Sequence, residues 1–294
     1  MSTETPRPVV VGVDGTQGSL DAVAWAANTA ALRKVPLRLV HAFAWPLLHV
    51  PAAMWQLGPE DGLRAHADSL VGEAVRTARD AAPDIEIATT VETDFPLPLL
   101  VELSRDATYV VVGTAGRGSV ADALAGSLTI ELSARSHAPV VVVRGTLSPE
   151  RTDNLVVVGV DGSPLGAVAV EAAVEEAARR HARLLAVHVV RQGRTARSGA
   201  SDTAAGLRLL EDALAGWRHK YPDLPIEERV LMGHAAGHLI ELSASAGLVV
   251  VGARGRGGFT GMLLGSVSQA LLHQAQCPVV VLTRECRAST PAAA

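Results

Sequence analysis

The sequence predicts a doubly wound α/β fold present twice, with a five-stranded parallel sheet in each copy. Three observations carry the prediction. The chain repeats itself: Val9 to Thr16 reads VVVGVDGT, and Val156 to Ser163 reads VVVGVDGS at an offset of 147, which His41 and His188 keep. Farther along the offset is 139, relating LVELS at Leu100 to LIELS at Leu239, Gly126–Ser127 to Gly265–Ser266 and Pro139 to Pro278. Second, short Val-rich runs alternate with helical patterns, and near-continuous apolar strands between helices imply a parallel sheet covered on both faces. Third, 294 residues suffice for two domains that each bury a core.

Taken in order, the run Val9–Val13 is the first strand and the Ala-rich stretch Ser19–Leu32 the first helix. Strand Leu37–Phe43, helix Leu63–Ala81, strand Ile85–Val91 and helix Pro96–Arg105 follow. Strand Tyr109–Val112, helix Ser127–Arg135 and the all-valine strand Val140–Val143 complete the copy. The second copy repeats this order from Leu155 to Leu282, after the polar segment GTLSPERTDN. The expected division is a domain over 1–145, a linker over 146–154, a domain over 155–285 and a flexible tail over 286–294. Two segments resist assignment: Pro-rich Ala44–Asp61 and Ser-, Gly- and Arg-rich Gln192–Ala205 each read as a lid, an interaction surface or a tolerated insertion. The valine strands that end each copy are apolar edges, and such edges are paired or covered. Their expected partners are each other, about a pseudo-twofold axis.

Composition narrows the function. A net charge of −4, a pI near 6.2 and 3% aromatic residues argue against a nucleic-acid partner, which leaves a basic footprint and uses rings for stacking. The longest apolar runs are strand-sized, so no membrane insertion is expected. The first eight residues carry no signal-peptide core, and the expectation is a cytoplasmic protein. Cys277 and Cys286 are the only cysteines and form no disulfide framework.

Ligands of doubly wound sheets bind at the carboxyl ends of the strands, near the point where strand order reverses. Two such ends are unusual here. After the first strand comes Gly-Val-Asp-Gly, at Gly12–Gly15 and Gly159–Gly162. After the fourth comes a glycine-rich stretch with the spacing G-x2-G-x9-G-S: Gly113, Gly116, Gly126 and Ser127, then Gly252, Gly255, Gly265 and Ser266. Glycines let backbone N–H groups approach a phosphate, and the helix opening after the last glycine adds free N–H groups and its dipole. A tight turn with a capped helix would use the same residues; for Asp14 and Asp161 the competing reading is a turn or N-cap aspartate.

VGVDGS, G-x2-G-x9-G-S and CPVVVL on the last strand together resemble the universal stress protein family, in its tandem actinobacterial form. The resemblance spans nearly the whole chain. It implies a Rossmann-like, adenine nucleotide α-hydrolase-like fold with ATP, carrying magnesium, in each domain. Asp14 and Asp161 match the family aspartate near ribose and adenine, with any metal shared through that carboxylate. Gly12 and Gly159 let the nucleotide pass close to the first strand. Ala42 and Val189 match the position whose backbone meets adenine. Gly113, Gly116, Arg117, Gly118, Gly126 and Ser127 match the phosphate loop, as do Gly252, Arg254, Gly255, Arg256, Gly257, Gly258, Gly265, Ser266, Val267 and Ser268. The family further implies homodimers and a regulatory protein partner in stress or dormancy adaptation.

The two sites differ. The second has Arg254 and Arg256, whereas the first has Ala115 in place of Arg254 and Asp122 in place of Gly261. The expectation is tighter binding in the second. No G-x4-G-K-[ST] sequence occurs, and neither Lys34 nor Lys220 lies in a glycine loop, which excludes the P-loop mechanism. Activity is expected to be at most a weak ATPase; a slow hydrolase and a nucleotide-free scaffold are the competing functions. His41 and His188 read as packing or strand-end hydrogen bonding, and His234 with His238 as a solvated helix face without an acidic partner.

Overall fold

A computed structural model describes residues 6–42, 59–114, 121–144, 154–190, 198–256, 263–283 and 285–288. Its first half runs β1 (Val9–Gly12), α1 (Gln17–Arg33), β2 (Leu37–Ala42), α2 (Pro59–Ala81), β3 (Ile87–Glu92), α3 (Pro96–Leu103), β4 (Tyr109–Gly113), α4 (Ala121–Arg135) and β5 (Val140–Val143). The second half repeats it as β6 (Leu155–Gly159), α5 (Pro164–Arg179), β7 (Arg183–Val190), α6 (Ser198–Lys220), β8 (Ile226–Met232), α7 (Ala235–Ser243), β9 (Leu248–Gly252), α8 (Ser266–Gln274) and β10 (Val279–Leu282).

All ten strands form one sheet in the order β3-β2-β1-β4-β5-β10-β9-β6-β7-β8. Pairing is parallel within each half, as the apolar runs predict, and strand order reverses between β1 and β4 and between β6 and β9. The halves meet at the antiparallel pair β5–β10, where Val141 opposes Val280. These two valines are equivalent under the 139-residue offset, so the pseudo-twofold axis passes between them. Each terminal strand thus covers the other's exposed edge.

Side-chain alternation along the strands builds two cores, one on each face. Val9, Val11, Val156 and Val158 face α1, α2, α5 and α6 through residues such as Ala22, Ala74, Ala173 and Leu210. Val10, Val110, Val157 and Val249 face α3, α4, α7 and α8 through Leu100, Leu132, Leu239 and Leu271. Both cores run through the two halves without a break. Small Ala and Val side chains let helices lie close to the sheet, which accounts for the few aromatic rings.

Several expected boundaries are corrected. Helix α4 begins at Ala121 rather than Ser127, because Ala121-Asp-Ala-Leu-Ala supplies good helix formers and an acidic first turn. The second copy has Thr260-Gly261 at the corresponding positions, and its helix α8 waits until Ser266. Of the two unassigned segments, residues 59–61 and 198–205 are helical and the remainder lies outside the described residues. Helix α6 extends back through Ser- and Gly-rich sequence because Leu210 and Leu214 anchor it in the core. Of the tail expected over 286–294, residues 289–294 lie outside the described residues. Cys286 sits in a short 3-10 turn, Glu285–Ala288, and is buried with Thr283 N–H donating to its Sγ at 3.3 Å.

Candidate nucleotide site

Strand β6 ends in a turn that places Asp161 over the sheet. Gly162 has a φ of 72°, the left-handed conformation glycine adopts without a Cβ penalty. Asp161 Oδ1 accepts from Ser163 N–H at 2.9 Å and from Ser163 Oγ at 2.7 Å. Ser163 Oγ in turn caps α5 by accepting from Gly166 N–H at 3.0 Å. The turn reading of Asp161 therefore holds for one carboxylate oxygen. The other does something else: Oδ2 accepts from the Arg256 backbone N–H at 2.8 Å, reaching across the switch point into the glycine loop.

That contact explains the glycine at 255. An added Cβ there would lie 2.5 Å from Asp161 Oδ2, closer than atoms can stand. The far end of the loop is fixed as firmly. Gly265 N–H donates to Ala253 O at 2.8 Å, and buried Ser268 donates its Oγ–H to Gly252 O at 2.7 Å. The first helical bond of α8 is Gln269 N–H to Gly265 O at 3.0 Å. The amides of Ser266, Val267 and Ser268 thus lack partners within the helix, and among the described residues no side chain caps them. Ser266, Val267 and Ser268 line a cavity of about 610 Å³ together with Arg254 and Arg256, and the helix dipole adds positive charge at that opening.

The cavity collects Gly159, Asp161, Val189, Gly252, Arg254, Gly255, Arg256, Gly265, Ser266, Val267 and Ser268, all expected at the site. Gly257 and Gly258 lie outside the described residues. Residues not anticipated come chiefly from the β8–α7 connection, Gly233 and His234, and from the first turn of α7, Ala235 and Ala236, with Leu239 one turn on. The rule that ligands gather at strand carboxyl ends applies to β8 as well, and could have found them. His188 also lines the cavity, its Nδ1–H donating to Val160 O at 2.7 Å. His41 makes the same bond to Val13 O at 2.7 Å, so both histidines are strand-end hydrogen bonders. His234 and His238 do not share a helix face: His234 precedes α7, while His238 Nε2–H donates to Met232 O at 2.9 Å. His238 Nδ1 also lies 3.6 Å from Glu241, an acidic neighbour the helix spacing i,i+3 supplies and the sequence reading denied.

The first half is built differently at the corresponding place. Asp14 Oδ1 accepts from Thr16 N–H and Oγ1–H at 2.9 and 2.6 Å, an Asx turn that repeats the second copy. Gly12 ends β1, Ala42 ends β2 and Gly113 ends β4, as the register requires. Gly116, Arg117 and Gly118 lie outside the described residues. Gly126 and Ser127 fall inside α4, five and six residues past its start, so Ser127 does not open that helix. An added Cβ on Gly113 would lie 2.0 Å from Gly18 O, where the second copy has the Leu165 side chain against Gly252.

A twice-repeated doubly wound half with a glycine loop at the switch point is matched by the universal stress protein family model over residues 6–144 and 154–283. The chain belongs to that family. A universal stress protein of Mycobacterium tuberculosis is 40% identical over 287 residues, covering 93% of this chain and 96% of the relative. One from Mycolicibacterium smegmatis is 35% identical, covering 96% and 99%. Among solved structures, a universal stress protein from Archaeoglobus fulgidus superposes with a TM-score of 0.71 at 17% identity, covering 94% of this chain and 96% of that one. At that identity the likeness concerns the fold. No helix among the described residues is long and apolar enough to cross a membrane.

Proposed function

We propose that this universal stress protein binds ATP in its C-terminal half and acts as a nucleotide-dependent regulator in stress or dormancy adaptation. The observation that carries the reading is the Asp161 bracket: one carboxylate holds both the β6 turn and the glycine loop, with the start of α8 and two arginines lining the enclosed space. A cavity lined by two arginines and a helix start, with otherwise apolar walls, suits a ligand with an anionic end and a flat apolar body. ATP has that shape and charge. Its magnesium would be held by Asp161, whose Oδ2 keeps a lone pair beyond the one hydrogen bond it accepts.

In this reading ATP sits between the Asp161 turn and the glycine loop and completes a surface that a regulatory protein recognises. The reading takes the chain as a cytoplasmic homodimer of two-domain subunits. Titrating the purified chain with ATP while following heat tests it. Saturable binding, with loss of the tighter step in Gly255→Val, is expected; no heat above dilution at millimolar ATP would contradict it.

A further inference from the structure

We infer that the open edge of β3 is a docking site for an extended segment of a partner protein, one with an uncharged centre and a basic residue at each end. The inference does not draw on the nucleotide cavity. β3 and β8 are the outer strands of the ten-stranded sheet. Glu86 O accepts from Leu37 N–H of β2 at 2.9 Å, so by alternation the N–H and C=O groups of Ile87, Thr89 and Val91 point away from the sheet. Among the described residues no backbone group pairs with them. Pairing with β2 runs unbroken from Ile87 to Glu92, with neither a bulge nor a proline to blunt the edge. Such a row of free groups is a template for one more strand.

The residues along the edge decide which strand fits. Ile87 to Val91 is uncharged, and Ala88 and Thr89 are exposed. Asp84 and Glu86 before it and Glu92 and Asp94 after it are exposed too, and none forms an ion pair among the described residues. The equivalent edge at β8 has its charges matched internally: Arg218 pairs with Glu228 at 2.6 Å, and Arg229 with Glu227. A second copy of the chain is a poor occupant of the β3 edge. A twofold axis normal to the sheet, of the kind that relates β5 to β10, sets Glu86 opposite Glu92 when centred on Thr89. Centred on Thr90 it sets Glu86 opposite Asp94, and centred on Ala88 it sets Asp84 opposite Glu92. Like charges placed opposite one another repel, whereas lysine or arginine ends would meet carboxylates. Glu86 and Glu92 lie about 20 Å apart along the strand, which sets the spacing of the partner's basic residues.

The test is fluorescence anisotropy of the full chain with two labelled peptides of about seven residues, each with a Thr-Val-Thr-Val-Thr centre, one ended by lysines and one by glutamates. Saturable binding of the lysine-ended peptide is expected, at least about tenfold tighter than that of the glutamate-ended one and weakening as salt rises. Methylating the backbone nitrogens of its centre is expected to abolish binding, and this arm uses the unaltered protein. Thr89→Pro removes one outward N–H without touching a bond to β2, so the fold is expected to survive and peptide binding to be lost. No binding of the lysine-ended peptide, equal binding of both peptides, or full binding by the methylated peptide or by Thr89→Pro would overturn the inference. So would a dimer of the chain that Thr89→Pro separates, since the edge would then belong to a second copy.

Discussion

Asp161 and Arg256 lie 95 residues apart in the chain, and the backbone N–H of Arg256 meets the Asp161 carboxylate at 2.8 Å. The same carboxylate closes the turn that starts α5, so strand one and strand four of the second half are tied through a single side chain. Removing it frees the glycine loop from one of its two ends. Asp161→Ala is expected to weaken ATP binding at least about tenfold, in keeping with loss of hydrogen bonds to a charged group. Thermal unfolding separates this from general damage, since the fold is expected to survive.

Gly255 tests the same contact from the loop side. Gly255→Ala sets a methyl 2.5 Å from Asp161 Oδ2, and the carboxylate must move away from Arg256. The residue is exposed, so stability is expected to change by less than about 1 kcal/mol. ATP affinity is expected to fall severalfold in a titration of the variant. Affinity equal to that of the unaltered chain would show that the loop does not hold the ligand.

The junction between halves carries a second network. Arg33 of α1 pairs with buried Glu176 of α5, which Arg180 also contacts at 2.8 Å. Tyr109 donates to the same carboxylate at 3.1 Å, and Arg180 donates to Thr29 Oγ1 at 3.1 Å. Burial pushes the Glu176 carboxyl up, but the guanidinium groups of Arg180 and Arg33 outweigh it and hold it below its usual range. A depressed carboxyl contributes stability above its unfolded value near 4.5 and loses it as pH falls through the lower folded value. Glu176→Ala leaves two cations without their partner and is expected to cost about 3–5 kcal/mol at neutral pH. Denaturant unfolding should also lose part of its acid sensitivity below the carboxylate range in that variant.

Arg33 and Arg180 are equivalent under the 147-residue offset, and so are Thr29 and Glu176. The duplicated helices thus share one carboxylate between two arginines. The repeat, the parallel sheet of each half and the β5–β10 pairing were legible because valine runs and offsets are written in the chain itself. The Glu176 network was not, since nothing local announces that residues 143 positions apart will meet across a sheet edge. Its one signal was an acid in the second copy standing where the first has Thr29. The start of α4 was missed for a related reason: glycine spacing pointed to Ser127, while helix-forming residues from Ala121 onward decided the matter. Likewise the turn was the competing reading of Asp161 and describes its Oδ1, while its second hydrogen bond is a tertiary contact that spacing does not reveal.

The two halves are expected to fill unequally. Helix α8 opens at Ser266 against the cavity, whereas Ser127 sits well inside α4. At limiting ATP, native mass spectrometry of the full chain should show a singly loaded species first. Replacing Asp161 should remove that species, and replacing Asp14 should leave it.

The central claim is that this chain carries an adenine nucleotide between the Asp161 turn and the glycine loop. Denaturing the purified protein and identifying what it releases by mass spectrometry tests this most directly. The account predicts ATP, close to one equivalent per chain and absent from Asp161→Ala. A preparation that releases no nucleotide, and takes none up on incubation with ATP and magnesium, would contradict it.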